Sequence, residues 1–433
     1  MPDHARRRAL AGLTSLAALA AFAPRAPAAS PGLTAAQLQA DLAFLRKTLA
    51  DTHPDLRFSV DPAALDAGLA GLAARITDGM TRDAAWALLA TINPLFADAH
   101  LCVTWPDWRG AVHAHLDGGG TLFPYEVTLD ASGLAIDTLL GGAATPLRGA
   151  RIVAIDGEPA GAVTAALLAR VHGDTARFRM HLLGRRWWFY HWKLRGAPAS
   201  HHLTLTHNGR TWTVFTPASA ATPDLLQQEA SFERQFSLDF EPDGSAVLTV
   251  GSFGPTDPAR VQAFLREAFA TLRERRTRSL VIDISANGGG DDAVWLDGLL
   301  PCLATQPYRT GSTYRKKVLE TNAAKGERAG DVVTGEITTW RPPQPDHPLR
   351  FAGKVRVAIG PATYSSAILF ANVMRDFGFA TLAGTGGAAR RAQSGGVRNF
   401  TLPNSGLALS VPRFVLDPPA GGPPGALLEP DKA

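Results

Sequence analysis

Two adjacent serines stand at the junction of an apolar run and an amphipathic run in GPATYSSAILFANVM, residues 360–374. This pattern predicts a short strand that leads into a helix, with Ser365 at the helix N-terminus. Unpaired N–H groups and the helix dipole favour an oxyanion at such a position. A serine that merely caps the helix gives the same pattern, so Ser365 is either a nucleophile or an N-cap.

A glycine-rich turn is the second candidate for chemistry. Residues 285–290, SANGGG, follow the apolar run SLVIDI, and glycine allows backbone N–H groups to approach a reacting oxygen closely. The β-α-β-α pattern around both turns predicts one parallel sheet, whose ligands bind at the carboxyl ends of the strands. We therefore expect residues 285–290 and 361–366 to face one cleft.

Three regions must position these turns, and together they predict an α+β multidomain protein. Residues 30–110 show apolar positions at helical spacing and predict an N-terminal helical domain. Residues 111–217 predict a small β module, with a strong hairpin signal at residues 207–210. Residues 229–433 predict an α/β domain, interrupted at 318–350 by a long insertion or lid.

Residues 1–29 carry a basic start, an apolar core and a small-x-small cleavage site, which predict a signal peptide and a periplasmic or secreted protein. Arg7-Arg8 is compatible with a twin-arginine route and with an ordinary signal peptide. No stretch reaches the roughly 20 apolar residues of a membrane span. These 29 residues hold +3 of the formal net charge of +4, and the remaining +1 gives no electrostatic case for binding nucleic acid.

The sequence lacks the motifs of several other kinds of catalytic or binding site. The sequence has no G-x-S-x-G, H-E-x-x-H or Walker motif, so we expect neither a metal nor a cofactor. The G-x-G-x-x-A match at 384–389 has no acidic residue about 20 positions later and is not taken as a dinucleotide site. The aromatic run at 185–194 is either a substrate-facing stripe or, the favoured interpretation, core. Cys102 and Cys302 either form a disulfide or, the favoured interpretation, remain buried free thiols.

Four segments, LVIDISANGGG, VAIGPATYSSAILFANVMRDFG, AGTGG and FTLPNSGLALSVPRF, resemble in this order the core of the tail-specific, C-terminal-processing serine peptidase family. LADTHPDL, LFADAHL and LRGARIVAIDGEPA are similar to the helical and PDZ-like parts of its secreted bacterial members. The resemblance implies a ClpP/crotonase-like catalytic domain at 229–433 and a PDZ-like domain at 111–217. It also implies Ser365 as nucleophile, with oxyanion donors at Ser366 and at Gly288 or Gly289.

The base departs from the best-known members of that family, which use a lysine 25 residues after the serine. Arg390 stands there, and arginine, with a pKa above about 12.5, does not act as a base near pH 7. The branch that includes the tricorn core protease uses a histidine from outside the sheet domain. Asp98-Ala99-His100-Leu101 resembles the turn that carries it, which implies His100 as the base, whereas His347 lies in the insertion.

The same branch implies an acidic residue beyond the serine that orients the histidine, here Glu429, with Asp431 beside it. The expected activity is serine endopeptidase cleavage of peptides or unfolded proteins. The alternative is an inactive relative that binds peptides or hydrophobic ligands, because this fold also occurs in interphotoreceptor retinoid-binding protein. The oligomeric state stays open.

Overall fold

The computed structural model describes residues 32–432. The predicted signal peptide, 1–29, lies outside the described residues. None of the helices between residues 32 and 432 is both long and apolar enough to cross a membrane.

The first region is helical, and its helices begin at side-chain caps. The Thr34 hydroxyl accepts the N–H of Gln37, whose side chain accepts the Thr34 N–H in return, a capping box at the start of the first helix. Asp61 caps the second helix, in which Pro62 occupies the first position. The elements are α1 (Ala35–Thr52), α2 (Pro62–Ala73), α3 (Arg82–Leu89), β1 (Cys102–Thr104) and α4 (Trp108–Asp117).

The second region is an antiparallel sheet with three helices. The sheet order is β2-β3-β4-β6-β7, and β5 pairs with β4. Its elements are β2 (Tyr125–Asp130), β3 (Gly133–Leu139), β4 (Arg151–Ile155), β5 (Glu158–Pro159), α5 (Ala160–Leu168), α6 (Ala176–Arg185), α7 (Trp187–Arg195), β6 (Ser200–His207) and β7 (Arg210–Pro217). The predicted hairpin is confirmed, since Asn208 and Gly209 connect β6 to β7 with φ of 48° and 75°.

The aromatic run forms α7 and packs inside the protein. Trp187, Trp188, Phe189 and Tyr190 are each at most 4% exposed. The interpretation as core is therefore confirmed for these four residues.

The third region contains the predicted parallel sheet, in the order β14-β13-β10-β9-β8. Strands β9, β10, β13 and β14 are parallel, and β8 is an antiparallel edge. Its helices are α8 (Asp224–Ala230), α9 (Phe232–Gln235), α10 (Pro258–Glu274), α11 (Ala293–Gly298), α12 (Leu300–Leu303) and α13 (Ser366–Asp376). Its strands are β8 (Phe236–Phe240), β9 (Ala246–Val250), β10 (Ser279–Asp283), β11 (Thr313–Lys317), β12 (Val332–Glu336), β13 (Lys354–Ile359), β14 (Thr381–Gly384), β15 (Gln393–Gly395), β16 (Arg398–Thr401), β17 (Ala408–Val411) and β18 (Phe414–Leu416).

Two small antiparallel sheets join distant parts of the chain. In the first, β1 pairs with β17, and Cys102 lies opposite Ser410. In the second, of order β12-β11-β18-β15, strand β12 comes from the insertion at 318–350. The pairing of β1 with β17 holds the segment just before residue 102 against the C-terminal region.

Both cysteines are buried free thiols, so the favoured interpretation is confirmed. Buried apolar residues form two clusters. One is shared by the first two regions and reaches Leu402, Leu407, Leu409 and Val411, and the other fills the α/β region.

Candidate active site

Ser365 has a strained backbone. Its φ of 55° and ψ of −127° lie in a region that costs a residue with a side chain about 1–3 kcal/mol. Although it occupies the N-cap position of α13, its side chain makes no capping hydrogen bond. Within residues 32–432 the Ser365 hydroxyl has no hydrogen-bond partner at all. The strain therefore presents an available hydroxyl at a helix N-terminus, and the cap interpretation does not describe it.

The second serine is fixed by partners. Ser366 is buried, its hydroxyl donates to the Asp292 carboxylate, and it accepts the indole N–H of Trp295 at 2.9 Å. The two adjacent hydroxyls thus differ in their hydrogen bonds, since that of Ser365 is available and that of Ser366 is held in the core.

The glycine turn lies directly against Ser365. A Cβ at Gly289, where φ is 102°, would stand 2.7 Å from the Ser365 Cβ and 3.0 Å from the Ser366 nitrogen. The Gly289 N–H donates to Asn287 Oδ1 at 2.8 Å. By contrast, the N–H groups of Gly288 and Ser366 have no acceptor in the described part of the chain. Of the two predicted glycines, Gly288 is the one that leaves a donor available for an oxyanion.

His100 lies at the end of a turn that precedes β1. The His100 N–H donates to Asp98 Oδ1 at 2.8 Å, which fixes the turn. The imidazole ring lies 4.8 Å, centre to centre, from the ring of Tyr364, the residue before Ser365. The pairing of β1 with β17 therefore brings a residue 265 positions earlier in the chain next to the nucleophile candidate.

Strand β15 contacts both candidates through neighbouring residues. Gln393 Oε1 accepts the Ser365 N–H at 3.0 Å, and Ser394 Oγ lies 2.9 Å from His100 Nδ1. No hydrogen bond joins the Ser365 hydroxyl to His100 in the described structure. Such catalytic bonds are often long before substrate binds and shorten in the enzyme–substrate complex.

The hydrogen-bond directions define the His100 tautomer. Ser394 donates its hydroxyl proton to Asp98 Oδ1 at 2.8 Å, so its oxygen accepts from His100 Nδ1–H. Asp98 is fully buried and also accepts the Ser59 hydroxyl at 2.6 Å. The second ring nitrogen, Nε2, is left with its lone pair and without a partner among the described residues.

The charges agree with this assignment. Burial alone would raise the pKa of Asp98, but interactions with His100, the Ser59 hydroxyl and Arg390 together lower it, so the carboxylate stays ionised. Burial lowers the pKa of His100 from 6.5 by more than the charge of Asp98 raises it. The imidazole is therefore neutral at pH 7 and available as a base.

Arg390 occupies the position of the family lysine, but its role is structural. Its Nε lies 3.2 Å from the carboxylate of Asp174, and its guanidinium also donates to the carbonyls of Phe58 and Ala97. Asp174 accepts the Tyr364 hydroxyl as well, at 2.8 Å. This ion pair holds the helical region against the nucleophile turn.

The structure does not bring Glu429 to His100. Glu429 is exposed and lies beside Gly386 and Gly387, where an added Cβ would collide with it. Asp431 accepts the Leu382 N–H at 2.7 Å and so caps β14. No hydrogen bond or ion pair joins either acid to His100 within the described residues, and the carboxylate linked to His100 is Asp98, through Ser394.

His347 is also remote from these groups. Its Nδ1 lies 3.6 Å from the sulfur of Cys302 and accepts the Leu349 N–H at 3.2 Å. Sequence reasoning missed Ser394 and Asp98. The position of Asp98 two residues before His100 is a signal of its role, whereas nothing in the sequence marks Ser394.

A cavity of about 420 Å³ lies against His100 and the two predicted turns. Both predicted turns and His100 line it, as the parallel-sheet argument requires, through Ala286, Gly288, Gly289, Pro361, Ala362 and Tyr364. Across residues 32–432, no three His, Cys, Asp or Glu side chains are grouped so as to hold a metal ion.

Known proteins resemble this chain in sequence and in fold. The model of peptidase family S41 matches residues 244–431. Mature CPAF is a similar solved structure, at 16% identity and a TM-score of 0.66, with 92% of each chain covered. The structure of mature CPAF complexed with lactacystin is similar at 16% identity and a TM-score of 0.64, with 92% of this chain and 93% of that chain covered. The photosystem II D1 C-terminal processing protease has 15% identity and a TM-score of 0.46, with 91% of this chain and 92% of that chain covered.

The likeness to CPAF at this identity concerns the fold, which the two chains share over nearly their whole length. The α+β multidomain organisation expected from the sequence is thereby confirmed. No curated protein sequence matches this chain.

Proposed function

Since residues 244–431 match the model of peptidase family S41, a family of serine-type peptidases, we propose that this chain is an endopeptidase with Ser365 as nucleophile and His100 as general base. The observation that carries the proposal is the strained Ser365, whose hydroxyl has no partner in the described residues and whose neighbour Tyr364 packs against the imidazole of His100. Residues in sparsely populated backbone regions cluster at active sites, where the surrounding structure maintains the strain.

The reaction proceeds in two halves. Ser365 Oγ attacks the peptide carbonyl while its proton passes to His100 Nε2, and the N–H groups of Gly288 and Ser366 stabilise the oxyanion. His100 then gives that proton to the departing amine, which leaves an acyl-enzyme. Water attacks the ester, its proton returns through His100, and Ser365 is released together with the carboxylic acid product.

Substrate and location complete the proposal. The proposed substrates are unfolded proteins or C-terminal segments, because an extended chain presents peptide bonds to a cavity at a sheet end. Residues 111–217 would dock such a chain as a PDZ-like module, by adding a strand to the sheet or by capturing its C-terminal carboxylate. The signal-peptide pattern at residues 1–29 supports action in the periplasm or outside the cell.

The test is cleavage of casein by residues 30–433, compared with the variants Ser365→Ala and His100→Ala. Both variants should lose the activity while keeping the unfolding midpoint of the parent. Ser237→Ala, on the edge strand β8, is the matched control and should keep full activity. If Ser365→Ala cleaves casein as fast as the parent, the proposed nucleophile is wrong. If the parent is inactive, the alternative of a peptide-binding or hydrophobic-ligand-binding relative is favoured.

A further inference from the structure

Two pairs of a serine and a histidine hold the carboxylate of Asp98, and the reaction proposed above uses only one pair. In that pair, His100 Nδ1–H donates to Ser394, which donates to Asp98 Oδ1. In the other pair, the Ser59 hydroxyl donates to Asp98 Oδ2 at 2.6 Å, and His53 Nε2 lies 2.9 Å from Ser59 Oγ. We call Ser59 and His53 the helical arm, because both belong to the first, helical region.

The hydrogen bonds of the helical arm have a defined direction. The Asp55 N–H donates to His53 Nδ1 at 3.1 Å, so Nδ1 carries the lone pair and Nε2 carries the proton. Ser59 gives its own proton to Asp98, and its oxygen therefore accepts the His53 Nε2–H. Every proton of the helical arm thus points toward Asp98, an arrangement that suits an ionised carboxylate.

Burial makes each of these bonds important. Asp98, Ser59 and His53 are 0%, 1% and 3% exposed. Oδ1 of Asp98 accepts both the His100 backbone N–H and the Ser394 hydroxyl, whereas Oδ2 accepts only from Ser59 among the described residues. The terminal torsion of an aspartate has a broad range, so a carboxylate held at one oxygen can still rotate. The bond from Ser59 therefore sets the orientation of the carboxylate.

The backbone connects the helical arm to the turn that carries the base. The Ser59 carbonyl accepts the Ala97 N–H at 2.7 Å, one residue before Asp98. His53 directly follows α1, and its own N–H donates to the Leu49 carbonyl at 3.0 Å. The helical arm is thereby fixed at both of its ends.

The charges around His53 keep its ring neutral. Burial lowers the pKa of His53 from 6.5 to about 4, although the charges of Asp98 and Asp55 raise it. Arg315 and Arg390 lower it further. Near neutral pH the ring therefore has one N–H, which it donates to Ser59.

The other charged groups near Asp98 do not replace the helical arm. Arg390 lowers the pKa of Asp98 by its charge, but it forms its ion pair with Asp174, at 3.2 Å. The Tyr364 hydroxyl donates to Asp174 at 2.8 Å and lies 3.4 Å from Asp98 Oδ1. Within residues 32–432, neither Arg390 nor Tyr364 hydrogen-bonds to Oδ2.

We propose that Ser59 and His53 are positioning residues, which orient the catalytic base through the carboxylate of Asp98. This inference rests on the proposed function, because the reaction of Ser365 is what requires an oriented imidazole at His100. It adds a second hydrogen-bonded chain, which runs from Asp98 into the helical region.

The kinetic test compares single and double variants on fluorescein-labelled casein. Ser59→Ala should lower kcat about tenfold with KM unchanged, because the carboxylate loses its only bond at Oδ2. His53→Ala should lower kcat about threefold, since Ser59 can still donate to Asp98. In the Ser59→Ala chain, adding His53→Ala should have no further effect, because the histidine acts only through that hydroxyl.

Two further variants control for packing. His53→Gln keeps an N–H donor for Ser59 and should restore most of the rate that His53→Ala loses. Ser405→Ala is the matched control for Ser59→Ala, because Ser405 is also 1% exposed and lies between β16 and β17. It should keep full kcat. Full kcat in Ser59→Ala, or an equal loss from His53→Ala with and without the Ser59 hydroxyl, would overturn the proposal.

Nuclear magnetic resonance of the unmutated chain tests the helical arm without turnover. Isotope-labelled histidine locates the ring protons, and the signals are assigned with His53→Gln and His100→Gln. We expect the proton of His53 on Nε2 and that of His100 on Nδ1. A proton on His53 Nδ1 would overturn the proposal, because this ring would then have no N–H to donate to Ser59.

The same signals separate this inference from the proposed function. Ser59→Ala should divide the His100 proton between both ring nitrogens, since the carboxylate no longer has one orientation. Unchanged His100 signals in Ser59→Ala refute the helical arm alone, whether or not casein is cleaved. Failure of the unmutated chain to cleave casein, with the expected change in the signals, refutes the peptidase alone.

Discussion

Two buried polar clusters border the same cavity, and they differ in how fully their hydrogen bonds are satisfied. Around Asp98, the hydroxyls of Ser59 and Ser394 and the backbone N–H of His100 each donate to a carboxylate oxygen. On the wall next to α6, Arg186 Nε, His172 Nδ1 and His181 Nε2 meet no protein acceptor or donor within the described residues. A satisfied network holds its members in one geometry, whereas unsatisfied atoms gain partners only from water, an ion or a ligand. The comparison separates a cluster that is fixed by its own hydrogen bonds from one that is open to the cavity.

The largest effect should follow from removing the base of the satisfied cluster. His100→Ala should lower kcat for casein or a fluorogenic peptide by about a hundredfold to ten-thousandfold, the usual contribution of a placed base. KM should change little, because His100 is proposed to act on the proton of Ser365. A fall in kcat/KM that comes from KM alone would show that the histidine binds substrate instead.

Two arginines sharpen the comparison through stability. Arg390→Gln leaves the buried Asp174 without its counter-charge and should lower the free energy of unfolding by about 3–5 kcal/mol. Arg186→Gln removes a charge that has no partner and should leave that free energy unchanged or raise it. Urea unfolding, followed by fluorescence, measures both. Equal destabilisation by the two substitutions would remove the distinction between the clusters.

Ser394 tests whether the link to Asp98 positions the imidazole. Ser394→Ala deletes the acceptor of His100 Nδ1–H and should lower kcat about tenfold with KM unchanged, since one hydrogen bond is lost. Ser394→Thr retains the hydroxyl and should restore most of the rate. If Thr is as impaired as Ala, the effect comes from packing in β15 and not from the hydrogen bond.

The pH dependence reports on the same network. Burial lowers the pKa of His100 from 6.5, and the base must be neutral, so the acid limb of kcat/KM should lie below pH 6.5. Asp98→Asn removes the charge that raises this pKa, which moves the limb to still lower pH. A limb that moves to higher pH in Asp98→Asn would contradict the assignment.

Glu429→Gln should have the smallest effect. Because Glu429 is exposed and does not contact His100, kcat/KM should stay within about twofold of the parent value. A large loss in kcat with an unchanged unfolding midpoint would restore Glu429 as the orienting acid and make the Asp98 link secondary.

The local sequence pattern predicted the two turns but not the residues that contact them in the fold. Residues 285–290 and 361–366 follow from apolar runs and glycines, which act over a few positions. Gln393 and Ser394 lie in a strand of three residues that exists because β15 pairs with β18. His100 reaches Tyr364 through the pairing of β1 with β17, about 300 residues later in the chain. No short-range pattern encodes such pairings.

The orienting acid shows the limit of resemblance. Glu429 was expected from its place beyond the serine, yet the fold sets it beside Gly386 and Gly387. Arg185 and Arg186 belong to no motif either, because they begin an aromatic run that reads as core. Their position on the wall of the cavity depends on how α6 packs, and a sequence does not record that.

The most direct test of the central claim is labelling with a fluorophosphonate, which reacts only with an activated serine. The account predicts that mass spectrometry locates the adduct on Ser365, that Ser365→Ala is unlabelled, and that His100→Ala reacts about a hundredfold or more slowly. Labelling of Ser365 at the same rate in the parent and in His100→Ala would contradict the claim that this histidine activates the nucleophile.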